Sequence, residues 1–243
     1  MNVSITRPST TPYLKMCIYG DPGVGKTTLA ATAPNPLIID IDRGLMALAG
    51  QYVQVAELGL DIGTVSIVKE LEEVYKLLIG GDIDCESIVI DTVTELQRRL
   101  MDQLLYDSFA INSLKDRDVA ALQDWGKNTA QTRRFLRAIR DLPKHIIFVA
   151  QGQQYEDELT GMVPRRQPAL TKSLRADFMA MVDVIGCLAV KETDNSKDAR
   201  ILATSPTGMS HAKDRSGKLG KLIENPTIPG IINMIWGKEK QDE

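Results

Sequence analysis

The chain has 243 residues, with 29 Lys and Arg against 32 Asp and Glu and a formal net charge of -3. A composition of 43% hydrophobic and 25% charged residues suits a globular domain with a full core and excludes a disordered or collagen-like chain. The charge also excludes attachment to nucleic acid by a global field, so any such contact must come from local basic patches.

Met1 to Arg7 lacks the apolar core of a signal peptide. The longest apolar run, Phe178 to Val190, is too short to span a membrane and contains Asp183. Cys17, Cys85 and Cys187 are odd in number and scattered, the usage of a reducing compartment rather than of a disulfide or zinc framework. These features predict a cytoplasmic protein with no membrane contact. Residues 1–12, rich in Ser, Thr and Pro, predict an extended arm that is either a loose end or packed on a neighbouring subunit. Residues 13–236 then form one domain, and 237–243 a charged tail.

Tyr13 to Tyr19 reads as an apolar strand, and Leu29 to Ala33 as a helix that stops at Pro34. Between them, Gly20-Asp21-Pro22-Gly23-Val24-Gly25-Lys26-Thr27-Thr28 fits the pattern G-x-x-x-x-G-K-[ST] at every fixed position. A loop wrapped around a helix N-terminus aims backbone N–H groups and the positive end of a dipole at one place, as a triphosphate requires. Gly20, Gly23 and Gly25 allow the tight turn and the close approach. Lys26 is placed to reach the β and γ phosphates, and the Thr27 hydroxyl to ligate Mg²⁺.

Pro36 to Asp42 is a buried-strand run that ends in acids. Asp40 and Asp42 lie two apart and share a face, and Asp42, nearer the strand end, is the better placed to orient an attacking water. Leu45 to Gly50 and Tyr52 to Leu58 predict a short helix and a short strand. Val65 to Ile79 has helical spacing and stops at Gly80-Gly81. Ser87 to Asp91 is an apolar strand ended by an acid that is costly to bury unless it meets a cation, so Asp91 is the expected magnesium acid. Asp91 or Thr92 is also able to cap the next helix, predicted from Val93 to Tyr106.

A break over Ser108 to Asp118 precedes a helix from Leu122 to Asp141. Ile146 to Gln151 is another apolar strand, and Gln151 at its end is the candidate γ-phosphate sensor. Gly152 to Arg175 shows no period and reads as an irregular loop. Met179 to Val190 and Ala199 to Thr204 predict paired strands joined by the polar turn Asp194 to Lys197, followed by an apolar end from Ile228 to Trp236. Apolar strands alternating with helices imply an α/β fold with a mainly parallel twisted sheet and helices on both faces. In such sheets ligands bind at the C-terminal strand ends, where Lys26, Asp42, Asp91 and Gln151 all fall.

The order of these parts resembles the RecA-like branch of P-loop ATPases. Ile39 to Asp42 resembles its water-activating strand, with Asp in place of Glu. Ile88 to Val93 resembles its magnesium strand, and Phe148 to Gln151 its sensor strand. Lys213-Asp214-Arg215-Ser216-Gly217 resembles the Lys-x-Arg-x-Gly element of hexameric helicase cores and RecA-like paralogues. In those proteins the Lys and Arg reach the γ-phosphate of a neighbouring subunit. The compact length, the Asp in place of Glu and the Lys-Asp-Arg-Ser-Gly version look most like small phage-encoded RecA-like proteins, which are linked to single-strand annealing and recombination.

The resemblance implies ATP and Mg²⁺ as cofactors and Lys26, Asp42, Gln151, Lys213 and Arg215 as catalytic groups. It also implies assembly into a ring or filament, single-stranded DNA as partner, and room for a single-strand-binding protein beside it. If the chain is phage-encoded, its compartment is the host cytoplasm. Arg165, Arg166, Lys172 and Arg175 fall in the stretch that corresponds to a DNA-facing loop, a basic set suited to a phosphate backbone. Tyr155 is the one aromatic in that stretch, so binding is expected to rely on the backbone and ignore sequence. Ser108 to Asp118 corresponds to the other loop, with Lys115 and Arg117 balanced by Asp116 and Asp118. Arg133, Arg134, Arg137 and Arg140 are a further patch, to be read as a DNA track, an interface or a solvated face.

Overall fold

A computed structural model describes residues 13–59, 66–157, 162–191 and 198–237, with side chains left undescribed at 156, 157 and 162–164. The expected arm at 1–12, the turn at 194–197 and all but the first residue of the tail lie outside the described residues.

The phosphate-loop strand is β1 (Lys15–Gly20). Its residues are apolar on both faces because both are covered. Met16 and Ile18 enter one core cluster, and Cys17 and Tyr19 the other. The same alternation recurs in β4 (Ser87–Asp91), where Ile88 and Ile90 face one side and Val89 the other. It recurs again at the start of β5 (His145–Asp157), where Ile146 and Phe148 oppose Ile147 and Val149. Such strands read as continuous apolar runs.

Together with β2 (Pro36–Asp40), β3 (Gln54–Glu57), β7 (Val184–Lys191), β8 (Ala199–Ala203) and β10 (Leu222–Glu224) they form a sheet in the order β10-β8-β7-β1-β5-β4-β2-β3. From β3 to β7 every pairing is parallel, and β8 and β10 add antiparallel strands at one edge. Between β1 and the Asp91 strand lies β5, so the phosphate loop and the acid are two strands apart at the same sheet end.

One face is covered by α2 (Ile67–Gly80), α3 (Val93–Ile111), α4 (Leu122–Arg140) and α5 (Lys172–Met181). The other holds the short α1 (Lys26–Ala30) and α6 (Ile228–Trp236). Ile228, Ile231 and Ile235 bury against the same cluster as Met16 and Ile18. The first turn of α6 is tied to the end of the phosphate-loop helix, because the Ile228 amide donates to Thr32 Oγ1 at 2.9 Å.

Two expectations are corrected. The stretch after Gln151 is not irregular: β5 continues to Asp157 and pairs antiparallel with β6 (Met162–Pro168), with Gln154 opposite Arg166 and Tyr155 opposite Arg165. The ribbon is held by backbone pairing, to which the Arg166 amide adds a bond to Met209 O at 2.8 Å and the His211 amide one to Arg166 O at 3.0 Å. Arg165, Arg166 and Gln167 follow one another in β6 with no apolar alternation, so this strand carries no period-2 signal. The run expected as a strand from Met179 is the end of α5, with β7 starting only at Val184, because Phe178 and Val182 are buried by helix packing.

Candidate active site

The chain turns from β1 into α1 through the glycine loop, and two glycines there are sterically required. A Cβ at Gly20 would strike the carbonyl oxygen of Leu188 on β7. Gly25 sits at φ 93° as the N-cap of α1, and a Cβ there would meet Arg200 Nε at 2.5 Å. Lys26 Nζ lies within the loop and donates to the carbonyls of Gly20 at 3.1 Å and Asp21 at 2.8 Å. Burial pulls its pKa below the ordinary lysine value, opposed by the carboxylates of Asp91, Asp21 and Asp42.

From β4, Asp91 reaches across to the loop. Its Oδ2 accepts from Thr27 Oγ1 at 2.6 Å. Asp91 is only 4% exposed, and burial pushes its pKa up to about 6. The alternatives for the cap are resolved by Thr92, whose Oγ1 accepts from the Glu95 amide at 3.1 Å. Asp91 is thereby free of the helix. A buried carboxylate beside a hydroxyl oxygen is a donor pair suited to a hard cation, so these two residues fit Mg²⁺.

Asp42 lies just beyond β2, and its Oδ1 accepts from Thr92 N at 3.1 Å and Thr92 Oγ1 at 2.8 Å. Its carboxylate is thus fixed beside Asp91. Asp40 is buried and accepts from the Arg43 amide at 2.8 Å, closing its own turn instead. Gln151 donates its backbone N–H to Thr94 Oγ1 at 3.1 Å, and its carbonyl accepts from the Ala169 amide at 2.8 Å. Gly23, Gly25, Lys26, Thr27, Thr28, Asp42, Asp91 and Gln151 line one cleft of about 390 Å³.

Arg200 also lines this cleft, and no feature of the sequence points to it. It enters from β8, beyond β7, on the flank of the loop opposite Asp91, and its Nε donates to Val24 O at 3.1 Å. The missing signal is distance: a lone Arg 176 positions from its partner has no motif to mark it.

Lys213 and Arg215 stand at the other end of the sheet. The short β9 (Lys213–Asp214) pairs with Val184 and Ile185, where β7 begins, whereas the loop lies where β1 ends. Lys213 Nζ donates to Met179 O at 2.5 Å. Half-exposed Arg215 donates to Asp183 Oδ1 at 3.0 Å and Ala180 O at 2.6 Å. Neither belongs to the cleft of its own chain.

The four basic residues expected to face DNA part company. Arg165 and Lys172 are exposed. Arg166 pairs with Asp21 of the phosphate loop at 2.8 Å, and its carbonyl accepts from the Tyr19 hydroxyl at 2.9 Å. Arg175 is corrected. It is buried with its guanidinium 3.4 Å from the centroid of the Tyr155 ring, and it serves the packing of α5 on the hairpin. In the further patch, Arg133 pairs with Asp177 at 2.5 Å and Arg140 with Asp141 at 2.6 Å. No helix of the described residues is long and apolar enough to cross a membrane.

Sheet order, phosphate loop and the acid two strands away define an α/β RecA-like P-loop NTPase fold. The chain belongs to the AAA domain family, whose model matches residues 13–216. P-loop NTPases of this kind bind ATP with Mg²⁺. Among solved structures, the chain is similar to the KaiC-like protein PH0186 from the hyperthermophilic archaeon Pyrococcus horikoshii, with 13% identity, 77% of each chain covered and a TM-score of 0.41. It is also similar to the flagellar accessory protein FlaH from Methanocaldococcus jannaschii, with 11% identity, 88% of this chain and 84% of that one covered, and a TM-score of 0.41. No curated protein matches the chain.

Proposed function

We propose that this protein hydrolyses ATP while assembled on single-stranded DNA as a ring or filament, and that it promotes annealing or recombination. The observation that carries the reading is the ion pair between Arg166 and Asp21 at 2.8 Å. It joins a basic hairpin to the phosphate loop, so a strand held on the hairpin and a nucleotide held in the loop compete for, or reinforce, one connection. Gln151 adds a second link, because it lines the nucleotide cleft and the hairpin continues directly from it.

In this reading the loop backbone and Lys26 hold the phosphates, while Thr27 and Asp91 hold Mg²⁺. Held there, Mg²⁺ would supply charge neutralisation for the transferring phosphoryl group. Asp42 accepts a proton from, and orients, the attacking water. Its bonds to Thr92 restrict the carboxylate to one direction. Arg165 and Lys172 contribute charge to the DNA backbone. Lys213 and Arg215 act on a neighbour's nucleotide, which their place at the opposite sheet end favours, and a single-strand-binding protein is a candidate accessory partner.

ATP hydrolysis measured against protein concentration, with and without a long unstructured single strand, tests this. The rate per subunit is expected to rise with both. A rate flat in both removes the assembly and DNA roles and leaves a nucleotide-binding switch.

A further inference from the structure

Beside the nucleotide cleft, on the far side of Gln151, lies a second and separate cleft of about 290 Å³ between α3, α4 and the start of α5. Its apolar walls are Met101 and Trp125, and Trp125 is 44% exposed. Its floor is polar and rigid. The buried Gln97 amide donates to Thr171 Oγ1 at 2.8 Å and to Asn128 Oδ1 at 3.2 Å, and accepts from the Thr171 amide at 3.2 Å. Asn128 returns a bond to Gln97 O at 2.9 Å. A floor satisfied in this way keeps its shape without a ligand.

Arg98 and Asp102 also line the cleft. The Arg98 side chain is 59% exposed and spends one contact on Glu95 at 3.4 Å. Asp102 is exposed, and its carboxyl is pushed up from its ordinary value by partial burial, against the pull of Arg99. Together they offer one donor set and one acceptor set around an aromatic face. A nucleobase presents the complement: a flat π-surface with donors and acceptors on its edge. The exposed Lys172 follows Thr171 directly and supplies a cation for the adjoining phosphate.

We propose that this cleft takes an unpaired base of a single-stranded nucleic acid, stacked on the Trp125 indole. The proposal rests on the DNA reading above and gives it a place. It also departs from the sequence expectation that binding relies on the backbone alone. Tyr155, the aromatic expected in the loop, is covered by Arg175, whereas Trp125 is 44% exposed and lines the cleft. The cleft is wired to the nucleotide site through Thr94, a lining residue whose hydroxyl accepts from the Gln151 amide at 3.1 Å. An occupied base site would therefore press on the residue that faces the phosphates.

The chain has two tryptophans, Trp125 and Trp236, so Trp236→Phe leaves Trp125 as the sole indole reporter. This variant is titrated with oligodeoxythymidylate and with an abasic strand of equal length, following indole fluorescence and, on labelled strands, anisotropy. Quenching is expected with the base-bearing strand and not with the abasic one. Trp125→Ala is expected to weaken oligodeoxythymidylate binding roughly tenfold or more. Trp125→Phe, which keeps a ring and the fold, is expected to retain most of the affinity. Binding by anisotropy with no quenching and an unchanged Trp125→Ala would overturn the base site while leaving the DNA reading intact, and would turn the cleft toward a protein side chain. If neither strand binds the parent protein, the DNA reading itself fails and takes the base site with it.

Discussion

Thr27 and Asp91 are 64 positions apart in the chain, and their side-chain oxygens meet at 2.6 Å. This contact joins a loop built to hold anions to an acid that burial keeps from ionising freely. Burial raises the Asp91 pKa from about 4 to about 6. The folded state therefore takes up a proton more readily than the unfolded chain. Stability of the nucleotide-free protein should rise as pH falls from 7 through 6 toward 4, and the full penalty of about 3 kcal/mol applies above pH 6. Asp91→Asn keeps the acceptor for Thr27 and removes the charge. It is expected to raise the melting temperature at pH 7 by several degrees, flatten this pH dependence and abolish Mg²⁺-dependent hydrolysis. Calorimetry across pH 5 to 8 with a parallel phosphate-release assay checks all three.

Asp42→Asn also preserves geometry, since an amide oxygen still accepts from Thr92, but it cannot take a proton. Nucleotide affinity should stay near the parent value while hydrolysis falls by about 10²–10⁴. Arg215→Ala should give the same split if it acts on a neighbour. Mixing the two inactive variants then rebuilds complete sites at roughly a quarter of head-to-tail interfaces. Recovery of activity in the mixture supports action between subunits, and a mixture as inactive as its parts rejects it.

Arg200 holds the Val24 carbonyl and lies over Gly25, on the flank of the loop that no sequence pattern marks. Arg200→Ala should weaken ATP and ADP binding roughly tenfold by freeing the loop and removing a cation from the cleft. Arg200→Lys should restore the charge but not the Nε geometry, and so recover only part of the affinity. Isothermal titration with both nucleotides reads this directly.

The basic residues of the expected DNA-facing stretch divide by burial. Reversing exposed Arg165 and Lys172 to Glu should weaken single-strand binding and lower its salt slope by about one for each phosphate left without its cation. Arg175→Met should leave the slope unchanged and instead cost about 1–3 kcal/mol of stability, because it removes the guanidinium from the Tyr155 face. A slope that responds to Arg175 and not to Arg165 would reverse the assignment.

The parts legible in the sequence were those carried by a local pattern. Ile88 to Asp91 read as a buried strand because both faces are covered, and the glycine loop read as a phosphate site because its spacing is fixed by the turn it makes. The pairing of β6 with the end of β5 was hidden because backbone bonds, which leave no mark in the residue pattern, define it. The burial of Arg175 was hidden because its charge suggested solvent, while its partner, Tyr155, lies 20 residues away on another element. Arg200 and the Trp125 cleft arise only from tertiary juxtaposition. Thr92 illustrates the intermediate case: its capping role was one of two local options, and its bond from the Glu95 amide shows which is used, leaving Asp91 to Thr27.

The terminal helix α6 has a consequence for how the gene is handled. Family similarity ends at residue 216, yet Ile223, Ile228, Ile231 and Ile235 lie beyond that boundary and seal the face of the sheet that underlies the phosphate loop. An expression fragment trimmed to the family block would carry every nucleotide-binding residue and still present an open apolar wound behind them. Its failure in solution would reflect a missing lid on the core, not a defect in its chemistry.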